Sequence, residues 1–378
     1  MKQLLHHMIL ILLIGLPFVS CTEIYVPQVD PNREALVVEG LITDGVGPFH
    51  ITLSKARPYN SDSTLKSAFV SDAVLSVTDS ENQTFDLTYQ SNGRYWLPDT
   101  FRAVAGRSYV LHIATSDGEL YESNPQTLFA SETIDTMHTI SVTKDYLNAL
   151  NQLKSTDGFD IRVDLFKNPS AANPKPLCRF ESNVVVQYQF TQEKFDPTNP
   201  AGEDWYWFIF GWDTFNLNET SNITDERSKS SSAEIKDHLI CFLPKDPNAY
   251  GISTYSTMSS FMYFRYKQYT INEDTYQFYQ EANKQLSASG KMFDPITSQL
   301  YGNMNCTSNP SKLALGLFEV SSVRQAAYII RRTAVIAPYT DNIPTVGGAY
   351  YKVYKDGRET DDPEFEVIPF PNWWSHTR

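Results

Sequence analysis

The chain has 378 residues, with 44 acidic against 31 basic side chains and a net charge of −13. That length exceeds the usual single domain and predicts two, while the acidic balance opposes nucleic-acid binding. Aromatic residues make up 13%, with 22 Tyr and 22 Phe, a composition suited to strands, where large flat side chains pack on a pleated surface.

The first predicted element is a leader. Lys2 opens a short basic start, residues 8–19 are almost wholly apolar, and the run ends Phe18-Val19-Ser20-Cys21. Such a run is shorter than the ~20 residues a membrane-spanning helix needs. Residues 1–20 are therefore read as a signal peptide and Cys21 as the lipidated first residue of the exported chain. The alternative is an unlipidated exported protein with a thiol near its start, and it lacks an A-x-A-like site. Acyl chains are held by about 0.8 kcal/mol per buried methylene, so several of them make release negligible. Beyond the leader no segment is long and apolar enough to cross a bilayer.

Residues 21–33 hold Pro27 and Pro31 and no apolar periodicity, which predicts an extended leash. Strand-length runs follow at 35–39, 49–54, 73–78, 84–89, 94–97 and 109–114. They are separated by Asp44-Gly45, Asp79-Ser80-Glu81-Asn82, Ser91-Asn92-Gly93 and Ser116-Asp117-Gly118, residues that tolerate tight turns. Alternation in Tyr109-Val110-Leu111-His112-Ile113 puts Leu111 and Ile113 on a buried face and His112 toward solvent. Residues 34–130 are thus predicted to form an antiparallel β-sandwich of immunoglobulin or prealbumin type.

Residues 131–368 are predicted to form a larger β-rich domain, with strands at 161–166, 183–190, 205–211, 238–243, 260–271, 327–335 and 349–354. One helix is predicted at 274–287, where Tyr276, Phe278, Tyr279, Ala282 and Leu286 have helical spacing after Asn272-Glu273-Asp274. Residues 216–233 are predicted to be a long exposed loop. Residues 369–378 form a C-terminal tail.

No Gly-x-Ser-x-Gly elbow, His-Glu-x-x-His, phosphate loop or dinucleotide fingerprint occurs. His50, His112, His138, His238 and His376 have no neighbouring ligand at metal-binding spacing. No catalytic residue, metal site or cofactor is predicted. The acidic stretch 359–366 lacks the glycine and ligand spacing of a calcium loop and reads as a solvated loop. Cys178, Cys241 and Cys306 allow either a Cys241–Cys306 bridge in an oxidising compartment or three isolated buried thiols. The candidate binding residues are aromatic. Trp205 and Trp207 share one side of a strand, serving either a two-layer core or a stacking platform, and Trp373-Trp374 in a Pro-flanked terminus could fold back or dock into a partner.

Ordered motifs across most of the chain carry a resemblance. Leu36-Val37-Val38-Glu39-Gly40-Leu41-Ile42-Thr43-Asp44, Gly47-Pro48-Phe49, Gly93-Arg94-Tyr95, Ala105-Gly106-Arg107-Ser108-Tyr109 and Gly118-Glu119-Leu120-Tyr121 come first. Tyr269-Thr270-Ile271, Tyr276-Gln277-Phe278-Tyr279, Gly290-Lys291-Met292-Phe293-Asp294-Pro295, Tyr301-Gly302-Asn303 and Leu315-Gly316-Leu317-Phe318 follow. This set resembles the domain of unknown function 4249 family from about Ala35 to Ala337. The resemblance implies a lipoprotein of Bacteroidota outer membranes, of a kind encoded beside a TonB-dependent receptor, and no established reaction. It points to a lipid-anchored, non-enzymatic accessory to such a transporter, capturing substrate or capping the barrel, with the cell surface favoured over the periplasmic face. The alternatives are a structural, adhesion or envelope-assembly lipoprotein without a small-molecule ligand, and an unrecognised hydrolase. Labelled palmitate should enter the wild-type protein and be lost in Cys21→Ala; equal label in both contradicts the lipoprotein reading.

Overall fold

The computed structural model describes residues 35–56, 68–147, 150–166, 177–194, 205–217, 221–224, 234–246, 249, 256–288, 300–331, 336–339, 352–355 and 358–359. Cys21, the leash, Trp373, Trp374 and residues 360–366 lie outside them. The fold is mainly β, as predicted, and α1 (Glu273–Ala288) is the one helix among the described residues.

The N-terminal strands are β1 (Ala35–Thr43), β2 (His50–Ala56), β3 (Ala68–Phe69), β4 (Val74–Asp79), β5 (Thr84–Asp86), β6 (Thr88–Ser91), β7 (Arg94–Trp96), β8 (Ser108–Ala114), β9 (Leu120–Ser123) and β10 (Gln126–Thr127). Then come β11 (Thr133–Leu147), β12 (Leu153–Phe166), β13 (Leu177–Lys194), β14 (Trp205–Asn216), β15 (Asn222–Ile223), β16 (Glu234–Pro244) and β17 (Ser256–Ile271). After α1 the chain continues through β18 (Met304–Cys306), β19 (Ala314–Arg331), β20 (Ile336–Tyr339), β21 (Lys352–Lys355) and β22 (Arg358–Glu359).

One 13-stranded sheet runs through the molecule in the order β22-β21-β14-β13-β17-β19-β1-β2-β7-β6, and two smaller sheets, β18-β9-β8-β4-β5 and β11-β12-β16, complete it. Alternation explains the first core: along β8, Tyr109, Leu111 and Ile113 are buried, and they meet Val38, Ile51 and Leu53 of β1 and β2. His112 takes the opposite parity, with its Nδ1 3.8 Å from Glu122. The turns use left-handed residues where the sequence placed them, at Asn82, Asn92, Gly93 and Gly118.

The second core joins Phe159, Ile161 and Val163 of β12 and Ile240 and Leu243 of β16 to Phe180 and Val184 of β13 and Met262 and Phe264 of β17. The change of core falls between β10 and β11, beside residue 130. The first core nevertheless also takes in Met304, Cys306, Ala314, Phe318 and Val320 from far beyond it.

Sequence expectations differ from the structure at several points, among them 84–89, which divides into β5, paired with β4, and β6, paired with β7. The edge strand β11 was not expected, because its half-exposed residues show no apolar alternation. β19 begins well before the predicted 327, since its first half pairs with a strand distant in sequence. Within the expected exposed loop, β15 pairs with β13, Thr224 is buried, and Asn222 donates to the carbonyls of Leu239 and Ile240. All three thiols are free and buried, which settles the choice left open above.

Gly316 shows how tightly β19 meets β1. Its φ is +88°, and a Cβ there would stand 2.0 Å from the Val38 carbonyl oxygen. Gly118, at +86°, faces open space. Gly316→Ala should therefore lower the unfolding free energy in urea by about 2–4 kcal/mol, against about 1 kcal/mol for Gly118→Ala. Equal losses contradict the close approach.

Candidate functional site

The site arises where β19 changes partners. Residues Ala314 to Ser321 run parallel to β1, from Leu36↔Ala314 to Thr43↔Ser321, and Ser322 onward pairs antiparallel with β17. Polar side chains satisfy the backbone around this change. Asp44, just past β1, accepts the Val323 N–H through Oδ1 at 2.7 Å. The buried Asn303 amide takes the Phe318 N–H at 3.0 Å and donates to the Phe318 carbonyl at 2.7 Å. A Cβ on the preceding Gly302 would stand 1.3 Å from the Gly316 carbonyl oxygen, so this contact requires glycine.

Register then assembles a polar face. On β13, β17 and β19, Arg179 lies opposite Tyr269, which lies opposite Val323; two residues on, Glu181 lies opposite Lys267, which lies opposite Gln325. Directly opposed residues project to the same side of a sheet, and the other parity of β13, with Phe180 and Val184, forms the second core.

At its deep end sits a buried ion cluster. Arg179 Nη2 donates to Glu319 Oε1 at 3.1 Å and Nη1 to Glu181 Oε1 at 2.5 Å. Ser321 Oγ donates to Glu319 Oε1 at 2.7 Å, and the Tyr279 hydroxyl, from α1, to Oε2 at 2.9 Å. The Tyr269 hydroxyl donates to Glu181 Oε2 at 3.0 Å. The guanidinium lies 4.0 Å from the Tyr269 ring centroid and 5.0 Å from that of Tyr279, within cation–π range.

Burial acts against the Arg179 charge, yet Glu319, Tyr279 and Glu181 more than offset it and hold the guanidinium protonated. Burial and then Glu319 push the Tyr279 phenol well above its ordinary value, and burial and then Glu181 do the same to Tyr269. At the rim, burial and then Arg94 keep the His50 imidazole below its usual range, so it is neutral at pH 7. The helix is aimed by its start: Asn272 Oδ1 accepts the Thr275 N–H at 2.9 Å as an N-cap, and Asp274 accepts from Asn124, just past β9, at 3.0 Å.

The polar face opens into a cleft of about 990 Å³, walled by β1, β2 and the loop between them on one side and by β13, β17, β19 and α1 on the other. A neighbouring hollow of about 470 Å³ shares Glu181, Lys267 and Gln325 with it and adds Asn183, Asn216 and Arg265. Both oxygens of Glu319 are engaged, so the cluster ties strands and helix together. Among the described residues no group of His, Cys, Asp or Glu is arranged to hold a metal ion.

Of the sequence-predicted site residues, only Trp205 and Trp207 fall among the described residues, and they do not line this cleft. Cys21, Trp373 and Trp374 are outside the described residues. Trp205 and Trp207 are on β14, opposite Lys194 and Gln192, with Trp207 also opposite Lys355 of β21. The cluster that forms instead was marked by single charges within apolar strand runs, Leu177-Cys178-Arg179-Phe180 and Leu317-Phe318-Glu319-Val320. A charge in such a position is buried only when paired.

A family model described as Domain of unknown function (DUF4249) matches residues 22–327. No curated protein and no solved structure matches the chain.

Glu319→Ala leaves the buried guanidinium without its innermost partner and should cost about 3–5 kcal/mol, measured by chemical denaturation. Because the folded-state phenols hold their protons more tightly than the unfolded chain does, their contribution is fully present below about pH 10 and is lost as pH rises beyond it. Tyr279→Phe should flatten that alkaline fall, and an unchanged slope contradicts the assignment.

Proposed function

The chain belongs to the domain of unknown function 4249 family, and from that premise we propose that it is an outer-membrane lipoprotein serving as a non-enzymatic accessory to a TonB-dependent transporter. The observation that carries the reading is the apolar run of residues 8–19 ending in Ser20-Cys21. Lipidated there, the body would hang on residues 22–33, which extend by at most about 3.5 Å each and let it move over its attachment point. The partnership with a receptor rests on the family resemblance.

The cleft gives the accessory role a physical place. It lies where strands of the two cores, β1 and β2 on one hand and β13 and β17 on the other, come together, and its volume suits a small ligand. With Glu319 and Glu181 both committed to Arg179, the cleft favours holding a molecule over cleaving one. In this reading substrate is captured in the cleft, while α1 faces the barrel. A structural or envelope-assembly role is separated from it by deletion, which would then impair the envelope and spare transport. Purification of the native lipoprotein from outer membranes in mild detergent should recover a TonB-dependent receptor; recovery of none contradicts the proposal.

A further inference from the structure

We infer that the cleft takes a neutral, polyhydroxylated ligand, an oligosaccharide; this rests on the capture reading above and names its substrate class. The walls carry Glu39, Glu181 and Glu319 against Arg179 and Lys267, with Arg265 in the neighbouring hollow, so acidic and basic charges come close to balance. The deepest cation is already neutralised by Glu319 and Glu181 and offers an anion no free charge. The whole chain is acidic, which further disfavours a polyanion. Among the residues lining the cleft, an anion meets one exposed cation, Lys267, and a cation meets carboxylates of which Glu181 and Glu319 are already paired with Arg179.

The groups available for hydrogen bonding suit hydroxyls. Lys267 and Gln325 are exposed, lie directly opposite each other on β17 and β19, and have no side-chain partner among the described residues. With Glu181 they form one row across three strands, spaced by the ~4.8 Å between neighbouring strands. That spacing is close to the length of one sugar ring, so successive rings can each meet one polar side chain. An amide both donates and accepts, an ammonium donates and a carboxylate accepts, which together match a hydroxyl's two roles. Phe278 and Phe49 border the same cleft and add apolar surface for the C–H faces of a sugar ring.

The full-length lipoprotein, held in a zwitterionic detergent free of sugar headgroups, should be titrated calorimetrically with cellohexaose, xylohexaose, maltohexaose and mannohexaose. Polygalacturonate, hexalysine and hexaalanine serve as the anionic, cationic and peptide comparisons. At least one neutral hexasaccharide should bind, and Lys267→Met or Gln325→Ala should weaken it about tenfold, the loss expected for one or two ligand hydrogen bonds. Thr88→Ala, on exposed β6 outside the cleft, should leave binding unchanged. Binding by none of the four sugars, binding indifferent to both cleft variants, or binding of a comparison probe alone overturns the inference. Sugar binding by a protein that recovers no receptor contradicts the accessory reading and leaves this assignment standing; receptor recovery without sugar binding does the reverse.

Discussion

A single strand has to serve two hydrophobic cores. Phe318 and Val320 in the first half of β19 lie in one core and Ile330 in its second half lies in the other, so the strand cannot be displaced without exposing both. Its backbone donors and acceptors also have to be satisfied on both sides of the point where β1 gives way to β17, because unpaired buried backbone groups are costly. The Asp44 and Asn303 side chains supply bonds around that point, and Gly316 and Gly302 allow the close approach. The site is a consequence of this change of partners.

Arg179 and Glu319 follow from the same constraint. At the change of partners three elements converge, β13, β19 and α1, and the pair is bonded or stacked to side chains from them and from β17. A buried ion pair contributes little net stability over a well-packed apolar replacement. Its effect here is geometric, since it holds Tyr269, Tyr279 and Glu181 together beside an open polar face. The cleft is the space left between these walls.

Much of the fold was legible from local pattern. Alternation in β4 and β8, turn residues at Asn92-Gly93 and Gly118, and the cap Asn272 before α1 are each short-range signals that the structure retains. What was hidden depends on pairing across long stretches of chain. The first half of β19 is a strand because Leu36 meets Ala314, and no window of sequence contains both. β11 is an edge whose side chains are mostly wet, so it carries no apolar rhythm. The aromatic pairs Trp205-Trp207 and Trp373-Trp374 drew attention because they are conspicuous in sequence, whereas Arg179 and Glu319 are ordinary charges until the register brings them together. The motifs that carry the family resemblance, among them Gly40 to Asp44, Tyr301-Gly302-Asn303 and Leu315 to Phe318, gather at this change of partners and thereby acquire a physical meaning.

Through β19 the two hydrophobic cores should open as one cooperative body. Amide hydrogen exchange along that strand, read residue by residue under conditions where exchange reports opening free energy, tests this most directly. The amides bonded in the β1-paired half and in the β17-paired half should share the same, highest protection and lose it together as denaturant is added. Two distinct opening free energies, with one half exchanging while the other remains protected, would contradict it.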